Sequence, residues 1–250
     1  DICSPVDTTG SPFPVVMLIH GGGWRSGDRS QELPMAEALA ERGYAAVTVE
    51  YRLSAEARYP AGVRDLKTAV RWIRAHAAEY RLHPDRIAVM GGSAGGTLAG
   101  LLGATSGVPE FDGSGAYPSQ STAVQAIVDM DGVLDFADSA ESGKDTDPAE
   151  PSAGKLWFGA SFKDNPDIWR QASPVRWVSR QTPPLLVINS SVPRFRGGGD
   201  AMVKRLRAFG IPAEIHEFPD APHPFWLLHT WFDVVRDRAV AFLDRVLKGA

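Results

Sequence analysis

The chain has 250 residues and a mass of 27.0 kDa, enough for one large domain with a complete hydrophobic core. Hydrophobic residues make up 44% and charged residues 22%. These shares sit near the globular average and exclude disordered, collagen-like and coiled-coil chains. The 26 basic and 30 acidic residues give a formal charge of -4 without a basic run, which argues against a nucleic-acid partner.

Cys3 is the single cysteine, so an intrachain disulfide is excluded. No apolar run approaches the roughly twenty residues of a membrane span. The nearest, residues 87–105, is broken by glycines. The N-terminus carries no basic-then-apolar leader pattern, and the first residue is Asp1 rather than Met. The compartment, cytoplasmic or secreted, stays open on these grounds.

Apolar periodicity alternates strand and helix along the chain. Residues 15–19 read as a strand ending at His20-Gly21-Gly22-Gly23. Residues 35–42 read as a short helix stopped by Gly43, and 44–51 as a second strand. Val63, Leu66, Val70, Ile73 and Ala77 form one face of a longer helix. Residues 85–90 make a third strand, and the small residues 94–104 suit a helix packed closely on a sheet. Further strands are expected at 124–130, 185–188 and 213–218. A helix ends over 204–209 at Gly210, and an amphipathic helix over 232–247 closes the chain. Strands separated by helices imply right-handed parallel βαβ units. The fold class is α/β with a mostly parallel sheet, in one domain spanning 1–250. Residues 132–180, rich in tryptophan and charge, read as a cap-like excursion over the sheet's C-terminal edge. An ordinary crossover helix with decorated loops is the equal alternative.

Gly91-Gly92-Ser93-Ala94-Gly95 lies between a strand and a helix, the context that G-x-S-x-G requires. A sharp turn there lifts the serine hydroxyl clear of the sheet, beside the free N–H groups of a helix N-terminus. Ser93 is the candidate nucleophile. In His20-Gly21-Gly22-Gly23-Trp24 the glycines leave backbone amides bare. The N–H groups of Gly22 and Gly23, with that of Ala94, are candidate donors to an oxyanion. No P-loop lysine follows, and the spacing does not match a dinucleotide fingerprint. His20 is expected to support the loop. His223, between the last strand and the last helix, is the candidate general base. His216 and His76 are expected to be structural or solvated, His83 lies in a turn, and His229 is a second candidate for substrate contact. No His, Cys or Asp cluster has metal-ligand spacing, so neither metal nor cofactor is expected.

On these motifs the chain resembles the α/β-hydrolase fold, and within it the carboxylesterases of the hormone-sensitive-lipase-like group that carry H-G-G-G. The tryptophan after the glycines, Glu50-Tyr51-Arg52-Leu53, the segment from Asn189 to Phe195, and Pro222-His223-Pro224-Phe225-Trp226 are similar to bacterial polysaccharide acetyl and feruloyl esterases. The resemblance covers nearly the whole chain. It implies that Asp1-Ile2 corresponds to the fold's second strand, with the first strand absent from this sequence. An exposed sheet edge would then be one route to a homodimer.

The family's acid normally follows the strand that here is 185–188, yet Val192-Pro193 occupies that place. Asp200, beyond Gly197-Gly198-Gly199, is the preferred replacement, although it is also a good helix N-cap. Asp131, at the end of the 124–130 strand, is the alternative. Asp220 is too local to His223 to orient its ring. The resemblance implies hydrolysis of short-chain acyl esters, acetyl groups on an oligosaccharide above all, through an acyl-serine. Trp24 and Trp226 are the expected substrate contacts, with Trp231 and the tryptophans of the excursion as further stacking surfaces. A formamidase or peptidase of the same fold and a non-catalytic binding module are the competing readings.

Overall fold

The computed structural model describes residues 1–6, 10–138, 141 and 151–249. Among them seven strands form one sheet in the order β1-β3-β2-β4-β5-β6-β7. They are β1 (Ile2–Cys3), β2 (Phe13–Ile19), β3 (Ala45–Val49), β4 (Leu82–Gly92), β5 (Ala126–Met130), β6 (Leu185–Asn189) and β7 (Ala213–Glu217). β1 runs antiparallel to β3, and every other neighbouring pair is parallel.

The central strands are buried on both faces, as parallel strands covered by crossover helices must be. Alternation along β2 divides its side chains between two apolar layers. Val15, Met17 and Ile19 face one and Val16 and Leu18 the other. The first layer is closed by α2 (Ala61–Ala75), α3 (Ala94–Ala104) and, after three short helices, α7 (Gly199–Ala208). The second is closed by α1 (Leu33–Ala40) and α8 (His229–Leu243). Among the described residues these short helices are α4 (Pro109–Asp112), α5 (Ala153–Phe158) and α6 (Pro166–Gln171).

Differences from the expected elements lie at their ends. α7 starts at Gly199 because Gly198 takes a left-handed φ of 84° and turns the chain into the helix. α8 starts at His229, three residues earlier than its apolar pattern, and passes into a wider turn over Asp244–Lys248. A 3-10 turn over Arg29–Glu32 precedes α1. In the 132–180 stretch, Trp157, Phe158 and Trp169 are buried in the same layer as α2 and α3. The described part of that stretch therefore contributes core. Residues 139–140 and 142–150, on which the cap reading also falls, lie outside the described residues.

Candidate active site

The site forms where five parallel strands end side by side. The glycine turn follows β2, Ser93 follows β4, Asp131 follows β5, Phe195 lies in the loop after β6, and His223 lies beyond β7. Ligands gather at this carboxyl edge in open α/β sheets because the loops converge there while the strands stay rigid.

Ser93 adopts φ 54° and ψ −121°, a strained backbone for a residue with a side chain. Two contacts over-determine it. Its N–H donates to the Met130 carbonyl at 2.8 Å, which ties the turn to β5. The helix behind it can approach only because Gly95 lacks a side chain, since a Cβ there would collide with the Ile19 carbonyl.

His223 Nδ1 lies 2.9 Å from Asp131 Oδ2, and Nε2 lies 3.1 Å from Ser93 Oγ. A carboxylate only accepts, so Nδ1 carries the proton. Nε2 then presents its lone pair and the serine hydroxyl donates to it. Asp131 is fully buried with φ 54°, and its Oδ1 accepts from the Ser190 N–H at 2.7 Å. The imidazole stacks on Phe195 at 3.9 Å between centroids and meets Trp226 edge-on at 5.2 Å.

Asp200 is not brought to His223. It lies exposed in the first turn of α7. The glycine segment expected to fold back is held elsewhere, because the Gly197 carbonyl accepts from the amides of Leu134 and Asp135. The loop after β6 offers the histidine an aromatic face, and the carboxylate comes from the adjacent strand.

The amides of Gly22, Gly23 and Ala94 have no acceptor among the described residues. Gly22 takes φ 114° and Gly23 φ 61°, and a Cβ on Gly21 would stand 3.0 Å from the Gly92 carbonyl. The glycine turn therefore lies against the serine turn. His20 is buried, stacks on Tyr51 at 4.5 Å and donates from Nδ1 to the Gly21 carbonyl at 2.8 Å. Tyr51 in turn donates its hydroxyl to the His20 carbonyl at 3.0 Å.

Two expected substrate contacts are differently used. Trp24 is 3% exposed and stacks on Trp157 at 4.5 Å, so its face is spent on the core. Trp226 is 2% exposed, with its ring over Gly92, which leaves no face for a sugar. It still borders a cavity of about 330 Å³ that also touches Gly21, Glu32, Ser93, His223 and Leu227. Trp157 and Trp169 are likewise core, and Trp177 and Trp231 pack partly buried against the two layers. His229 is exposed and borders a neighbouring depression with Phe232 and Leu227.

Two acids escaped the reading of motifs. Asp129 is fully buried beneath the site, where Oδ1 accepts from the Gly132 N–H at 3.0 Å and Oδ2 has no partner. Burial, and then the charge of Asp131, push its pKa well above the usual carboxylate range. Asp131 instead accepts two N–H donors, from His223 and from Ser190. An aspartate inside the apolar run 124–130 was the available signal. Glu32 is 1% exposed with Oε2 unpartnered, and burial pushes its pKa up to about 7. No local pattern marked it.

Among the described residues no group of three or more His, Cys, Asp or Glu is placed to hold a metal ion, and no helix is long and apolar enough to cross a membrane.

Comparison with known proteins agrees with this architecture. The probable carboxylic ester hydrolase LipM of Mycobacterium tuberculosis is 35% identical over 238 residues, covering 89% of this chain and 52% of LipM. Esterase LipQ of the same organism is 30% identical over 243 residues, covering 93% of this chain and 54% of LipQ. The chain thus spans about half the length of these relatives. A bifunctional GH43-CE protein of Bacteroides eggerthii superimposes with a TM-score of 0.83 at 29% identity, over 98% of this chain and 35% of that one. The fold is that of the α/β-hydrolase esterases. The BD-FAE family model matches residues 1–194, from the antiparallel edge strand through the glycine turn, the serine turn and Asp131, and the chain belongs to that family.

Proposed function

We propose that the chain is a serine carboxylesterase that removes short acyl groups, acetyl above all, from carbohydrate or similar polyol alcohols. The carrying observation is the unbroken chain from Asp131 through His223 to Ser93 Oγ, with bonds of 2.9 and 3.1 Å, beside three amides without acceptors.

In this reading His223 Nε2 takes the Ser93 proton as Oγ attacks the ester carbonyl. The carbonyl oxygen becomes an alkoxide and is held by the amides of Gly22, Gly23 and Ala94. Each such donor contributes about 10²–10³ in rate. The imidazolium, stabilised by Asp131, protonates the leaving alkoxide. Water, deprotonated by the same imidazole, then releases the acid and restores Ser93.

The relatives named as esterases support the reaction class, and the resemblance of the His20 to Trp24 motif to polysaccharide acetyl esterases supports the acyl and alcohol classes. The binding-module reading drew on the lack of an acid, and Asp131 supplies one.

The test is turnover of 4-nitrophenyl acetate together with labelling by a fluorophosphonate. The wild type is expected to turn over and to be labelled at Ser93, and Ser93→Ala to do neither. Undiminished turnover by Ser93→Ala would remove the serine assignment. A panel of acetylated and feruloylated oligosaccharides, ranked by kcat/KM, tests the acyl and alcohol classes.

A further inference from the structure

We infer that Glu32 recognises a free hydroxyl on the alcohol portion of the ester, so that the site prefers acetates of polyols to acetates of plain alkanols. This rests on the esterase reading and adds a specificity determinant to it.

Glu32 does no visible local work. It sits where the 3-10 turn Arg29–Glu32 passes into α1, at the N-cap position, yet its side chain makes no cap hydrogen bond. The cation nearest in sequence, Arg29, pairs instead with Asp1 and Glu50. Among the described residues its Oε2 is buried without a partner. A buried polar group left unpaired in a fold calls for an explanation by function.

Glu32 lines the cavity that contains Ser93 and His223. The leaving oxygen of an ester must come within reach of His223 Nε2 to be protonated. His223 borders this cavity and not the second one that touches the glycine turn, which is lined by Gly22, Gly23, Arg25 and Leu156. In this inference the alcohol portion occupies the space beside Glu32, in the cavity that also holds Ser93 and His223. A second unpartnered polar atom, Trp226 Nε1, belongs to a residue of the same wall.

An ionised carboxylate here would oppose the negative charge growing at the neighbouring amides. Burial holds Glu32 toward its neutral form, which offers one O–H donor and one carbonyl acceptor. That pair matches a hydroxyl, which also both donates and accepts. A site built to hydrogen-bond a substrate hydroxyl discriminates strongly against an analogue lacking it, because the site's own group is then left unpaired.

The experiment compares kcat/KM for glycerol 1-monoacetate and propyl acetate, which share acyl group and carbon skeleton and differ in two hydroxyls. The wild type is expected to favour the glycerol ester. Glu32→Leu should lower that preference by about 10-fold or more. Glu32→Gln keeps a donor and an acceptor, and should keep the preference within about threefold of wild type. Equal losses on both esters in Glu32→Leu, or an unchanged ratio, would overturn the inference. So would loss of the preference in Glu32→Gln, which would point to recognition by an ionised carboxylate rather than by a neutral donor–acceptor pair. Failure of the wild type on 4-nitrophenyl acetate would instead refute the esterase reading itself.

Discussion

Glu32 also makes a quantitative prediction about stability. Its pKa rises from the ordinary 4.5 to about 7 because burial removes the charged form from water. The folded protein therefore binds more protons at this site than the unfolded chain between those values, and stability falls as pH rises through that window. The shift of about 2.5 units, at about 1.36 kcal/mol each, amounts to about 3 kcal/mol, fully lost above pH 7. Glu32→Gln replaces a neutral carboxyl by a neutral amide of similar size and cannot ionise. At pH 4 it should match the wild type. At pH 8 it should be more stable by about 3 kcal/mol, or about 6–12 °C in Tm for a chain of this size. Urea and thermal unfolding of both proteins at pH 4, 6 and 8 measure the difference directly. A gap of the same size at pH 4 and pH 8 would show that Glu32 does not titrate in the folded state, and would refute the burial argument.

Other substitutions test the site more simply. Asp131→Asn should lower kcat on 4-nitrophenyl acetate by about 10⁴-fold, because the amide no longer holds the imidazole in the tautomer that accepts from serine. Asp200→Asn should stay within about threefold, and the reverse pattern would restore Asp200 as the acid. Trp24→Ala should destabilise the fold by about 3–5 kcal/mol, seen as a lower urea midpoint. A change in KM without loss of stability would mark Trp24 as a substrate contact after all. Gly95→Ala should yield little folded protein, or a fold without turnover, because its methyl would meet the Ile19 carbonyl. Wild-type activity in soluble Gly95→Ala would show that the serine turn tolerates displacement.

The strand and helix order could be read in the sequence because the two periodicities are local. The glycine turn, Ser93 and His223 were legible for a related reason, since each sits in a short motif whose steric requirement falls on adjacent residues. The carboxylate that meets His223 was not legible in this way. Asp131 and Asp200 both follow strands that end at the same edge, and the choice depends on how the loop after β6 packs. Gly197 is drawn to Leu134 and Asp135, a contact between segments more than sixty residues apart along the chain. The tryptophans misled for a different reason. A large aromatic beside a motif has the same appearance in sequence whether it faces a ligand or, like Trp24 against Trp157, another ring. Asp129 and Glu32 acquire their chemistry from burial alone, and burial is decided by the whole fold.

The bond from the Ser93 amide to the Met130 carbonyl has a mechanical corollary. Ser93 and Asp131 ride on one rung between β4 and β5, so their spacing is as stiff as the sheet itself, whereas the His223 imidazole hangs from a loop. On warming, the geometry expected to drift first is that of the His223 imidazole, while Ser93 and Asp131 still hold their places.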